Sequence, residues 1–170
     1  MMNGSSGDVF VEYLVKHKNG GKEMAITFAC GAAVALGAAV ALIMPILIII
    51  PVIALIASFF IIKLQSKEYE YSFTAGELDI DRLSGGMKRK HMLSINMASI
   101  EKVAPEGSHE LDEYAHGQRT VYEYSANTPE VKNYIIIGEI DSKPVKIIFT
   151  PNERMLDAMF MLSPRKVKRV

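Results

Sequence analysis

Residues 109–116 contain the densest group of metal-ligating side chains in the sequence, two histidines and three carboxylates. On a helix, one face would carry His109, Asp112, Glu113 and His116. Imidazole and carboxylate together suit Zn, Mn or Fe. The segment lies between strand patterns, however, and its spacing matches no ligand motif. We therefore expect a solvated acidic loop and no bound metal.

The other polar residues do not form a catalytic motif. Residues 84–88 lack the spacing of a phosphate-binding loop, and the sequence contains no Gly-x-Ser-x-Gly elbow. The carboxylates of the later half fall on alternating strand positions that face solvent. The sequence therefore predicts no enzyme, no catalytic residue and no cofactor.

Two groups of basic residues are candidates for contact with an anionic lipid or an acidic partner. They are Lys88, Arg89 and Lys90 at the start of a predicted strand, and Arg165, Lys166, Lys168 and Arg169 in the final segment. For the first group, a solvated edge strand is the alternative, because charges protect a sheet edge from pairing.

The charge balance limits the class of partner. The chain has 19 Lys and Arg and 19 Asp and Glu, which argues against a nucleic-acid binder. Residues 68–162 hold about 16 acidic and 10 basic residues. This acidic balance argues against that part of the chain lying flat on anionic lipid.

A long apolar segment precedes these residues. Residues 24–62 contain no charge, and the run is about twice as long as the 20 or so residues that span a bilayer. Proline disfavours a continuing helix, so Pro45 and Pro51 predict a turn between spans at 24–43 and 46–63. We expect an integral membrane hairpin over 24–63. A half-inserted hairpin is the alternative, because the turn has no polar side chain.

Small residues recur every four positions along the first span, at Ala29, Ala33, Gly37 and Ala41. Such a ridge lets helices approach closely in lipid. We expect it to pack on the second span, with contact between copies of the chain as the alternative.

Lysines flank the apolar segment on both sides, at Lys16, Lys18, Lys22, Lys63 and Lys67, and the turn carries none. Loops rich in Lys and Arg stay in the cytoplasm. The sequence thus predicts a cell-membrane protein with both termini cytoplasmic.

Residues 1–23 are predicted to be a disordered start followed by a short juxtamembrane segment. Residues 1–7 are polar and rich in Gly and Ser. If residues 8–18 were helical, one face of the helix would carry Phe10, Tyr13, Leu14 and His17. This segment is expected either to lie along the membrane surface or to dock on the domain that follows.

Residues 67–163 are predicted to form a cytoplasmic domain of seven short antiparallel strands and one helix, with a basic tail at 164–170. Alternating apolar and polar residues between Gly, Ser and Pro indicate the strands. They cover about 69–73, 78–80, 87–95, 98–103, 120–125, 131–140 and 145–149. The helix is expected to begin at a capping box with Thr150 as cap, or alternatively with Asn152.

Five short motifs carry a likeness to a family: YEYSF at 69–73, GELDI at 76–80, VAP at 103–105, PNERML at 151–156 and SPRKV at 163–167. With the order of elements, they resemble an uncharacterised bacterial family of small membrane proteins with a pleckstrin-homology-like (PH-like) domain. The resemblance implies an α+β membrane protein. An N-terminal transmembrane helical hairpin would precede a PH-like seven-stranded antiparallel sheet or barrel, capped by a C-terminal helix.

Phosphoinositide-binding members of the wider PH group place basic residues in the first hairpin. Residues 69–81, taken as that hairpin, contain none. We therefore expect a membrane-anchored cytoplasmic interaction or scaffold module. It would bind a protein partner or its own copy through a sheet edge or the groove beside the terminal helix. The alternative is a module that binds anionic lipid at the membrane surface through the two basic groups.

Overall fold

The computed structural model describes residues 10–85 and 88–169. The expected disordered start at 1–7, and Gly86 and Met87 of the expected turn and strand, lie outside the described residues. The elements are, in order, β1 Val11–His17, α1 Gly21–Ile43, a 3₁₀ helix Pro45–Ile48, α2 Ile49–Gln65, β2 Lys67–Thr74, β3 Glu77–Ser84, β4 Lys88–Asn96, β5 Ile100–Pro105, a second 3₁₀ helix His109–Tyr114, β6 Thr120–Glu123, β7 Tyr134–Ile140, β8 Lys143–Phe149 and α3 Glu153–Leu162.

Eight strands in the described residues form two four-stranded sheets, in the orders β1-β2-β3-β4 and β5-β7-β8-β6. Neighbours are antiparallel except β6 and β8, which are parallel. The expectation of a seven-stranded antiparallel sheet or closed barrel is therefore corrected. The seven predicted strands correspond to β2 through β8, and β1 is the additional one.

The segment before the first apolar helix is a strand, so the expectation of a helical surface segment there is wrong and docking on the domain is right. β1 pairs with β2 along its whole length. Val15 is 5 % exposed and packs in the core, whereas Leu14 is 47 % exposed on the outer face. The sequence VEYLVKH fits a period of two as well as one helical face, and pairing with β2 decides between them.

The core lies between the two sheets and beneath α3. Both sheets and the helix contribute fully buried side chains, among them Tyr71, Phe73, Ile80, Ile136, Ile147, Phe149, Met155 and Met159. The rings of Tyr71 and Phe149 meet edge to face with centroids 5.7 Å apart. This contact joins the sheets at the centre of the core.

The start of α3 differs from the preferred prediction. Asn152 is the cap, and its side-chain oxygen accepts a hydrogen bond from the Met155 amide at 2.9 Å. Thr150 is instead buried, where its hydroxyl accepts from the Ala126 amide and donates to Asn133, both at 2.9 Å. The alternative cap is therefore right, because the Thr150 hydroxyl is used to hold the segment before β7.

The apolar segment forms two helices that pack on each other. Gly21–Ile43 and Pro45–Gln65 are both long and apolar enough to cross a membrane, and neither is buried in the protein. Met44 alone separates the helical segments. Pro51 does not break the chain, because it lies in the first turn of α2, where backbone N–H groups have no intrahelical partner.

The basic segment after α3 docks on the second sheet. Val167 is buried and bridges to Val103 of β5. The Val103 amide donates to the Lys166 carbonyl at 2.8 Å, and the Lys168 amide donates to the Val103 carbonyl at 2.7 Å. The tail therefore covers part of the outer edge of β5.

Candidate functional site

The helical hairpin is inserted between two paired strands. Since β1 leads into α1 and α2 leads into β2, the pairing of β1 with β2 holds both helix ends at one end of the first sheet. Lys67 Nζ lies 3.2 Å from Glu23 Oε1, and Glu23 Oε2 accepts from the Gly20 amide at 3.1 Å. We call this region the helix–sheet junction.

Gly85, which follows β3, lies against the same junction. The Gly85 amide donates to the Ser66 carbonyl at 3.0 Å. Gly85 has φ of 60°, and a Cβ added there would lie 3.0 Å from the Lys63 carbonyl oxygen. Glycine thus permits both the backbone conformation and the close approach. As a result, β3 ends beside the end of α2, and β4, which pairs with β3, begins at the same end of the sheet.

The first predicted basic group is divided between two faces of β4. Arg89 lies on the outer face, where its Nε donates to Asp81 at 2.6 Å and its Nη2 lies 3.2 Å from Glu70. Lys88 and Lys90 lie on the opposite face and are exposed. Neither lysine forms an ion pair with a carboxylate in the described part of the chain.

The second predicted basic group is mostly engaged with the domain. Lys166 donates to the carbonyls of Met97 and Ala98, at 2.8 and 3.1 Å. Lys168 lies 3.5 Å from Glu110, and Arg169 lies 2.9 Å from Asp157. Arg165 is exposed and has no ion pair among the described carboxylates.

The two basic groups are not brought together. Met97 follows the last residue of β4, whereas Lys88 is the first. Eight steps along a strand span about 26 Å. Lys166 therefore lies at the end of the first sheet opposite the helix–sheet junction, and the two groups do not form one patch.

A polar network covers the outer face of the first sheet. His91 Nδ1 lies 2.8 Å from Asp81, and His91 Nε2 lies 3.2 Å from the Ser94 hydroxyl. This connectivity is that of a serine nucleophile, base and orienting acid, and the sequence spacing did not show it. The Ser94 hydroxyl also donates to Asp79, whose negative charge opposes a developing oxyanion. Neither groove described below includes these residues.

The carboxylates in this network have shifted pKa values. Burial raises the pKa of Asp81, but hydrogen bonds from Arg89 and His91 outweigh it and leave that pKa below its ordinary value. The pKa of Glu70 is raised, first by a hydrogen bond shared with Glu12 and then by burial. The network therefore holds one carboxylate, Asp81, whose ionised form is stabilised, and one carboxyl group, Glu70, whose ionisation is disfavoured.

The histidine- and carboxylate-rich segment forms the second 3₁₀ helix. His109 Nδ1 lies 3.1 Å from Asp112, with both side chains exposed. Glu110 faces the other way and pairs with Lys102 and Lys168. Within residues 10–85 and 88–169, no group of three or more His, Cys, Asp and Glu is placed to hold a metal ion.

A groove of about 710 Å³ lies between β1, the first turn of α3 and the segment before β7. Its lining combines apolar side chains with charges, principally Tyr13, Val131, Leu156, Lys132, Glu153 and Arg169. A second groove of about 720 Å³ lies across the same segment and shares Val131 and Lys132. The first groove draws on four separate segments, and only the amphipathic pattern of α3 pointed to it in the sequence.

The predicted helix ridge is only partly at the contact between the helices. Gly37 and Ala41 are half-buried, and a Cβ on Gly37 would lie 3.4 Å from Pro51. Ala29 and Ala33 are exposed. Their place in the contact is taken by half-buried Cys30 and Val34, against half-buried residues of α2 that include Pro51, Ala54 and Ser58.

Comparison with known proteins assigns the family. Residues 7–169 match the family described as Bacterial PH-like domain (DUF6106). No curated protein and no solved structure matches the chain. The family match spans β1, both apolar helices, the two sheets and α3, so the helices are part of the family pattern. The chain therefore belongs to the bacterial PH-like domain family DUF6106.

Proposed function

We propose that this protein is a membrane-anchored, non-catalytic interaction module that binds a protein through the groove between β1 and α3. The observation that carries the proposal is the groove itself. It joins an apolar floor to exposed charges at its rim, and a short protein segment needs both features for affinity and orientation.

The anchor in this proposal is the helical hairpin. Both helices are long and apolar enough to cross a membrane, and the pairing of β1 with β2 returns the chain to the side from which it entered. Lysines flank both helix ends, which favours the cytoplasmic side of the cell membrane. The domain would thus present its groove to cytoplasmic proteins near the inner leaflet.

Tyr13 and Leu156 provide the apolar floor of the groove, and Val131 is 40 % exposed beside them. Lys132 and Glu153 are exposed at the rim, and neither is in an ion pair with a described residue. An extended segment with an apolar anchor and charges of both signs fits this lining.

Photo-cross-linking in native membranes tests the proposed site. A photoreactive amino acid replaces Val131 in the full chain, and a matched variant carries it at Val121, which is 59 % exposed on β6. We expect a discrete cross-linked product from position 131 that is lost in the Lys132→Glu, Glu153→Lys double variant. A product of twice 18.8 kDa identifies a second copy as the partner. Equal products from both positions, or monomer alone, would contradict the proposal.

A fluorophosphonate probe tests the non-catalytic part of the proposal. Because the Asp79 carboxylate lies beside the Ser94 hydroxyl, we expect the probe to leave Ser94 unlabelled. Labelling that is abolished by both Ser94→Ala and His91→Ala would instead identify a working nucleophile.

A further inference from the structure

We propose that the helix–sheet junction binds anionic phospholipid headgroups through a ring of lysines. This contact would orient the domain upright on the membrane surface. This ring, the lysine collar, consists of Lys18, Lys22, Lys63, Lys88 and Lys90. The inference rests on the membrane anchoring proposed above and is independent of the protein-binding groove.

The collar lysines come from four elements that each begin or end at the same end of the first sheet. Lys18 follows β1, Lys22 lies in the first turn of α1 and Lys63 in the last turn of α2. Lys88 and Lys90 begin β4, which pairs with the end of β3, and the Gly85 amide after β3 donates to the Ser66 carbonyl after α2. If the helices cross a bilayer, all five ammonium groups lie at its headgroup level.

The collar charges are available for a ligand. All five lysines are exposed, and none forms an ion pair with a described carboxylate. Nearby carboxylates are engaged elsewhere, since Glu23 pairs with Lys67 and Glu68 lies 4.0 Å from Lys16. The junction therefore carries unneutralised positive charge although the whole chain is neutral.

Two side chains at the junction have buried polar atoms without a hydrogen-bond partner among the described residues. Arg82 lies opposite Lys90 and Tyr69 in the sheet, and its buried Nε has no hydrogen-bond acceptor among the described residues. Gln65, at the end of α2, has a buried side-chain oxygen and nitrogen, and neither has a hydrogen-bond partner among the described residues. A phosphate oxygen is an acceptor that suits a guanidinium N–H.

The position of the junction favours a bilayer over an acidic protein as the anionic surface. The collar adjoins both apolar helices, whereas Lys166 of the tail lies at the far end of the first sheet. The rest of the domain has an acidic balance. The collar end combines a group of positive charges with the apolar helices, and its attraction to an anionic leaflet gives the domain an upright orientation.

Lysine footprinting of the full chain tests the inference. The purified protein is placed in nanodiscs of phosphatidylcholine alone or with an equal part of phosphatidylglycerol, and amine acetylation rates are measured by mass spectrometry. Each lysine close to an anionic leaflet strengthens binding to that leaflet by about fivefold. We expect Lys88 and Lys90 to react about fivefold more slowly in the anionic discs and to regain reactivity in about 1 M salt.

Lys143 is the matched internal control. It is exposed at the start of β8, in the hairpin whose Glu139 amide donates to the Ser99 carbonyl at the far end of the first sheet. Its reactivity should be the same in both discs. Equal reactivity of Lys88 and Lys90 in both discs, or protection that persists in high salt, would overturn the inference.

Thermal unfolding provides a second test, since a ligand that binds the folded state raises Tm. We expect the domain to have a higher Tm in anionic than in neutral discs. The Lys88→Gln, Lys90→Gln variant should lose that difference, and Lys143→Gln should keep it. An undiminished difference in the double variant would contradict the role of the collar.

An alkaline carbonate wash separates this inference from the proposed anchoring. Release of the protein from both bilayers would contradict the membrane anchor and the collar with it. Retention in both, combined with equal lysine reactivity, would contradict the collar alone. Neither result depends on the groove or on its cross-linked product.

Discussion

At the scale of single residues, Asp81 is where the polar contacts of the first sheet converge. Its carboxylate accepts from Arg89 at 2.6 Å and lies 2.8 Å from His91 Nδ1. Burial opposes ionisation of Asp81, but these contacts outweigh it and lower the pKa. The contacts therefore stabilise the fold at neutral pH and lose their effect as pH falls through the lowered pKa.

The Asp81→Asn variant tests this stabilisation. We expect it to lower the free energy of unfolding by about 0.5–1 kcal/mol at pH 7, because the contacts lie near the surface. The difference from the unmodified protein should vanish below the lowered pKa, which lies under the ordinary value of 3.8. Urea unfolding across pH measures both effects. Asp112→Asn, on an exposed loop side chain, is the control and should change stability by less than about 0.5 kcal/mol.

Glu70 shows the opposite pH dependence. Its raised pKa arises from the hydrogen bond shared with Glu12 and from burial, and Arg89 offsets these only in part. An acid whose pKa is raised by folding loses stability as pH rises from its ordinary value, here 4.5, through the raised value. Ionisation then leaves two neighbouring carboxylates, which repel each other across β1 and β2.

The Glu12→Gln variant should remove the loss of stability that accompanies ionisation of Glu70. An amide at position 12 carries no charge and can donate to the Glu70 carboxylate. We expect a higher Tm than the unmodified protein at pH 7 and an equal Tm below pH 4.5. Glu77→Gln, at an exposed position on β3, is the control. A parallel rise in Tm for both variants, or none for Glu12→Gln, would count against the shared hydrogen bond.

At the scale of elements, β1 decides whether the residues before the helices belong to the domain. Val15 contributes to the core, whereas Leu14 faces outward on the same strand. We expect Val15→Ala to lower the free energy of unfolding by about 1–3 kcal/mol, since it leaves a cavity. Leu14→Ala should cost less than about 0.5 kcal/mol. Denaturant unfolding compares the pair, and a surface helix along the membrane would reverse the order.

At the scale of the whole molecule, the pairing of β1 with β2 holds the start of α1 and the end of α2 together, so a membrane-spanning hairpin would have both on one side of the bilayer. The helical segments of 23 and 21 residues reach about 34 and 31 Å, close to the thickness of a bilayer core. Two complete crossings therefore fit better than a half-inserted hairpin, and the turn at Met44 would lie on the far side.

Single cysteines in a Cys30→Ser background test the crossing. An impermeant maleimide added outside intact cells should label Ile46→Cys, at the turn, and should label Lys143→Cys only after lysis. A cysteine at position 46 that stays unlabelled from outside would indicate a half-inserted hairpin. External labelling at position 143 would reverse the proposed orientation.

Local patterns in the sequence by themselves determined most of the elements. The uninterrupted apolar segment was enough to predict two helices, because residue type alone determines the free energy of transfer into an apolar environment. Alternation between turn residues was enough for β2 through β8, and the stripe that includes Met155 was enough for α3. These signals depend on neighbours within a few positions, so no knowledge of the rest of the chain was needed.

How distant segments meet could not be predicted from the sequence and is seen first in the folded chain. The sequence of β1 is short enough to fit both the period of a strand and that of a helix. Its partner strand, β2, follows both helices in the chain. Sheet register brought Arg89 to Asp81 and left Lys88 and Lys90 without an ion pair among the described residues, and the length of β4 separated Lys88 from Lys166. The groove likewise needs β1, α3 and the segment before β7 together. Pairing and packing between remote residues fix these features, and spacing along the chain does not encode them.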